Sequence, residues 1–92
     1  MGVIRKDYIV GSVDNYVIEY HSTWFCGIEV YVRLHPYDPF KKSPAYHHLY
    51  ANGLLCIAAE HRPGTVAQAE RIARAWMETY SNYVRTGYFP TR

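Results

Sequence analysis

The sequence predicts an α+β fold, an antiparallel sheet of three or four strands with one long C-terminal helix packed on one face. Three observations carry that expectation. Trp24 to Leu34 alternates without a break, with Trp24, Cys26, Ile28, Val30, Val32 and Leu34 on one side and Phe25, Gly27, Glu29, Tyr31 and Arg33 on the other, the period-2 signature of a half-buried strand. Gly64-Thr65-Val66-Ala67-Gln68 is a helix-start signal, a capping box between Thr65 and Gln68, and a long stretch of helical periodicity follows it. Ninety-two residues hold one core, because two would each fall below the size that folds without disulfides or metal. Residues 1–92 are therefore read as one domain.

From the N-terminus, Val3 to Val10 is a strand interrupted by Arg5-Lys6-Asp7, which places it at a sheet edge, where charges discourage pairing with another chain. Gly11, Ser12, Asp14 and Asn15 supply a turn. Tyr16, Ile18 and Tyr20 then alternate with Val17, Glu19 and His21, and Ser22-Thr23 closes an antiparallel hairpin onto the strand that begins at Trp24. Pro36, Pro39 and Pro44 forbid both ladder and helix across His35 to Ser43, so this is loop.

Two readings stand for the next stretch. Ser43-Pro44 fits a cap and first helical residue, with Tyr46, Leu49 and Tyr50 at helical spacing; this short helical turn is the preferred one. Alternatively Asn52-Gly53 is the tight turn of a hairpin. Leu54 to Glu60 is a strand in both. The helix starts at Val66, buries a stripe of Val66, Ala69, Ile72, Ala73, Trp76, Tyr80, Tyr83 and Val84, leaves Arg71, Arg74, Glu78, Ser81 and Arg85 outside it, and stops at Gly87. That makes about 21 residues and ~31 Å. Tyr88-Phe89-Pro90-Thr91-Arg92 is a short aromatic tail.

Composition narrows the function. Apolar residues at 49% with 20% charged describe a folded chain rather than a disordered one. The longest apolar run, Leu54 to Ala59, is too short to span a bilayer, and the N-terminus has no apolar signal core; the reading is a cytoplasmic protein with no membrane partner. A net charge of +2 lacks the basic excess of a general nucleic-acid binder. Cys26 and Cys56 lie in apolar stretches and are expected as buried, reduced thiols. His47-His48, with His35, His61 and the two cysteines, offers no Cys-x-x-Cys or His-x-x-x-His pair, so neither metal nor any other cofactor is expected. Glycine-rich phosphate loops are absent too.

The unusual figure is ten tyrosines. Tyrosine brings contact area at low entropic cost and is enriched in recognition surfaces. The segment from Tyr37 to Tyr50 gathers Tyr37, Phe40, Tyr46 and Tyr50 with Lys41, Lys42, His47 and His48 on a backbone braced by prolines, a pattern suited to protein hot spots and to stacked single strands. Tyr31, projecting from the strand away from the core, joins it as a candidate. The partner-binding set is Tyr31, Tyr37, Phe40, Lys41, Lys42, Tyr46, His47 and Tyr50, with no catalytic residue assigned. This pattern points to a non-enzymatic binding protein whose partner is a larger protein or ribonucleoprotein complex. The alternatives are a nucleic-acid-binding domain stacking bases on Tyr31, and a hydrolase built on His35 or His48 with Lys41. A homodimer formed through uncovered sheet faces is compatible with each.

From Leu34 to Ala59 the order His35-Pro36, a proline-containing loop, Tyr46-x-x-Leu49, then Gly53-Leu54 entering an apolar run resembles part of a set of small tailed-phage proteins, with one glycine where that pattern has a pair. As a short, tyrosine-rich α+β chain it is similar in type to phage-encoded inhibitors such as anti-CRISPR proteins. That resemblance implies an inhibitor that docks on a host complex and occludes it, and it carries over no individual residue.

Overall fold

A computed structural model describes residues 2–90. Three strands, β1 (Val3–Val10), β2 (Asp14–Ser22) and β3 (Ile28–Leu34), form an antiparallel sheet in the order β1-β2-β3. One helix, α1 (Val66–Thr86), packs against it. The expected fold class holds, at the lower strand count.

The α1 boundaries follow from its caps. Thr65 Oγ1 accepts the Gln68 N–H at 3.2 Å, and Gln68 reaches back to the Gly64 N–H at 2.8 Å, one residue earlier than a standard capping box requires. Gly87 ends the helix at φ 81°, donating to Tyr83 C=O; a side chain there would meet the Phe40 ring at 3.1 Å.

The helix runs antiparallel to β2 and is stitched to the hairpin at three levels. Glu70 takes hydrogen bonds from the Tyr8 hydroxyl at 2.5 Å and Lys6 at 3.4 Å. Midway, the Tyr16 hydroxyl donates to Met77 C=O at 3.0 Å and sits 2.6 Å from Ser81 Oγ. At the far end Arg85 pairs with Asp14 at 2.7 Å. Ser81, expected outside the stripe, is instead buried, because a hydroxyl can face the core once Tyr16 satisfies it, and Met77 adds to the stripe beside it.

Two expected strands are shorter or absent. β3 begins at Ile28, not Trp24. Thr23 Oγ1 donates to Gly27 C=O at 2.7 Å and accepts the Cys26 N–H at 3.0 Å, which closes residues 23–27 into a turn before pairing resumes. Gly27 lies at φ 70°, and a Cβ on it would stand 2.3 Å from the Pro63 carbonyl oxygen. Leu54 to Glu60 is not a strand: only the bridges Tyr31↔Leu54 and Leu49↔Leu55 form, and Ala59–His61 is a 3-10 turn. The chain leaves β3 after Leu55 because the Ile28 N–H is taken by Pro63 C=O at 2.9 Å. Both readings of the preceding stretch hold in part: Pro44–His47 is a single 3-10 turn stopped by His48 at φ 63°, and Asn52-Gly53 makes a tight turn, with the Gly53 N–H donating to Tyr50 C=O at 2.9 Å, between the bridged Leu49 and Leu55.

Candidate functional site

The proline-braced loop divides into an inner and an outer half. Asp38, which sequence reasoning did not single out, organises the inner half. Its carboxylate accepts the Phe40 N–H at 2.8 Å, the Lys42 N–H at 2.9 Å, the Tyr83 hydroxyl at 2.8 Å and His47 Nε2 at 3.1 Å. Three helix side chains grip the same loop by their polar ends: Trp76 Nε1 donates to His47 C=O at 2.7 Å, Tyr80 to Pro36 C=O at 2.9 Å, and Tyr83 to Asp38. Burial alone would raise the Asp38 pKa, but these donors together with His47 hold it below the ordinary carboxylate value. Burial pushes the His47 pKa down against the opposing pull of Asp38, so the imidazole is a neutral donor.

The eight candidates therefore separate. His47 is buried, Tyr46 is half-buried against Tyr83 and Phe89, and Phe40 packs one side of its ring on Tyr83 at 5.3 Å between centroids while remaining 43% exposed. Tyr37, Lys41, Lys42 and Tyr50 lie outside, exposed. Tyr31 is half-buried on the sheet face away from α1, its ring 4.4 Å from the His21 ring and 4.5 Å from the Arg33 guanidinium. Both neighbours belong to a cross-strand network centred on Glu19, which meets Arg5 at 2.7 Å, Arg33 at 3.0 Å and His21 at 3.0 Å. Hydrogen bonds from His21, then Arg33 and Arg5, hold the Glu19 pKa at about 2. This face carries charges of both signs, and its one large ring is already engaged.

The tyrosine excess is mostly a core feature. Tyr16, Tyr20, Tyr80 and Tyr83 are fully buried, and each hydroxyl has a hydrogen-bond partner. Tyr37, Tyr50 and Tyr88 are the exposed ones.

The largest rings in solvent are elsewhere. Trp24 is 77% and Phe25 97% exposed at the tip of the β2–β3 turn, a position that the alternation pattern had assigned to strand. Beside the tip a groove of about 530 Å³ follows the outer edge of β3 from Cys26 and Arg62, over Ile28, Leu54 and Ile57, to Tyr50. Tyr50, Ala51 and Asn52 also line a second groove of about 480 Å³ that leads past Arg33 to Lys42. One side of the molecule thus carries the aromatic tip, an apolar groove, the exposed Tyr50 and a second groove lined by Arg33, Asp38 and Lys42.

Both cysteines are exposed and free, a correction to the expected buried thiols: Cys26 belongs to the turn rather than to an inward strand position, and Cys56 to the segment that leaves β3. They line different cavities. Among the described residues no group of three or more His, Cys, Asp or Glu could hold a metal ion, and no helix is long and apolar enough to cross a membrane. Comparison with protein-family models, curated proteins and solved structures found no match.

Proposed function

We propose that this chain is a non-enzymatic binding protein that docks on a larger protein through the Trp24-Phe25 tip and the grooves behind it. One observation carries the reading: two of the chain's largest apolar side chains stand 77% and 97% in solvent on a turn fixed by Thr23. Two such rings bring roughly 300 Å² or more of contact area, comparable to the largest apolar patch of a typical monomer, which is often functional. The Thr23 hydrogen bonds and the Gly27–Pro63 contact hold the tip in place before binding, which lowers the ordering cost of association. In this reading Lys42 and Tyr50, which line the second groove, and the exposed Tyr37 and Lys41 of the same loop supply an outer rim, while Tyr46 and His47 brace the loop from below. A ribonucleoprotein partner and the occluding, inhibitor-like action remain tied to the resemblance with small phage proteins.

The test compares affinity capture from the native host by the wild type, by Trp24→Ser/Phe25→Ser and by Tyr37→Ser/Lys41→Ser/Lys42→Ser. The tip variant should lose the partner, and the rim variant should weaken it. Both should keep the wild-type circular dichroism, since exposed substitutions usually shift stability by no more than ~0.5 kcal/mol. Capture undiminished in the tip variant would reject the assigned surface. Binding of short single strands with steep salt dependence would instead favour a nucleic-acid partner.

A further inference from the structure

β1 closes one side of the sheet, and its outer edge has no partner strand among the described residues. Gly2 C=O accepts the Ser22 N–H at 2.9 Å. Hydrogen-bonding direction alternates along an antiparallel pair, so the even-numbered residues of β1 bond β2. The N–H and C=O groups of Val3, Arg5, Asp7 and Ile9 therefore point out of the sheet. These four side chains share the face away from α1 and are all exposed, Val3 by 60% and Ile9 by 65%. An open eight-residue edge with large apolar side chains near both ends is a template for another strand.

Charges normally blunt such an edge, but here their order decides. Asp7 has no ion-pair or hydrogen-bond partner among the described residues, and its cross-strand neighbour is the apolar Val17. Arg5 meets Glu19 through one nitrogen and has further donors on its planar fork. A carboxylate without a cation thus lies two residues from a guanidinium with spare donors, on one face of one edge.

We propose that β1 pairs antiparallel with β1 of a second copy about a two-fold axis at Lys6, joining the two sheets into one of six strands. This register sets Arg5 opposite the partner's Asp7 and Val3 opposite the partner's Ile9, each contact made twice by symmetry. All these pairs fall at hydrogen-bonded positions, so every outward N–H and C=O from Val3 to Ile9 finds a partner. Lys6 meets the partner's Lys6 on the helix side, where each ammonium has Glu70 at 3.4 Å to offset the repulsion. Sliding by one step that keeps the faces matched would oppose Asp7 to the partner's Asp7, or Arg5 to the partner's Arg5. Like charges directly opposite destabilise a pair, so the sequence selects one register. This contact is independent of the Trp24-Phe25 reading and leaves that surface free.

Sedimentation velocity of the full chain from about 10 to 200 μM tests it in concentrations where weak isologous dimers form. The wild type should approach twice 10.7 kDa. Asp7→Arg alone and Arg5→Asp alone should run as monomers with native circular dichroism. An equimolar mixture of the two should recover the dimer, because both cross-chain ion pairs return in the mixed pair. Asp7→Pro removes only an outward N–H and is tolerated at an edge; it should also be monomeric, which covers a charge variant that fails to fold. A monomeric wild type across the range, a charge or proline variant that stays dimeric, or folded variants that do not associate on mixing would each overturn the proposal.

Discussion

Asp38 sits between Tyr37 and Pro39, where a short acidic residue reads as turn chemistry. Its role depends on Tyr83, 45 residues away, and on the two amides it turns toward itself, so no local pattern reveals it. With His47 it makes the loop pH-sensitive. The folded His47 pKa lies below its ordinary value of 6.5, which means the unfolded chain binds the proton more readily. The stabilisation is present above pH 6.5 and is lost as pH falls toward the folded pKa. Asp38, also lowered, contributes stability that is present above its ordinary 3.8 and lost further into acid. His47→Gln keeps an N–H donor for Asp38 and cannot titrate. In urea melts at pH 7 and pH 5, the wild type should lose more of its midpoint over that interval than His47→Gln; equal losses would show that His47 is not the titrating group.

Helix α1 was legible from Thr65 to Gly87 because its caps and its 3.6-residue stripe are written in adjacent residues, β2 was legible from alternation, and β1 from apolar residues flanking the charged Arg5-Lys6-Asp7 of a sheet edge. The failures share a cause. Trp24 and Cys26 fall in phase with Ile28, so periodicity extends the strand through them, whereas the Thr23 hydroxyl and a left-handed Gly27 fold those residues into a turn. Leu54 to Ala59 has the apolar character of a buried strand, yet the Pro63 carbonyl occupies the backbone site on Ile28 that a continuing fourth strand needs. Both outcomes depend on the close passage of Gly27 against Pro63, a contact between distant residues. Gly27→Ala should therefore cost about 1–3 kcal/mol, since backbone rather than a pliable side chain lies 2.3 Å from the new carbon. Urea denaturation reads this directly, and a midpoint within error of wild type would mean that the turn does not rest on Pro63.

A thin core explains why aromatic residues are so numerous and why they divide into two populations. Each buried tyrosine fills volume beside the aliphatic core and directs a hydroxyl to a polar partner, as Trp76 directs its indole N–H to the loop, so the helix holds sheet and loop together through polar ends as well as apolar contact. Phenol count alone therefore overstates the interaction surface; position separates the rings that hold the loop from those left in water. The two tryptophans make that division measurable. Trp24 is 77% and Trp76 6% exposed, so acrylamide should quench wild-type emission in two components. Trp24→Phe should abolish the accessible one, shift the remaining emission to the blue and leave the unfolding midpoint unchanged. Both thiols, exposed on separate cavities, should react with a disulfide reagent before unfolding. A protected Trp24 together with an unreactive Cys26 would place the β2–β3 turn inside the protein after all, and the surface proposed for partner binding would lose its principal element.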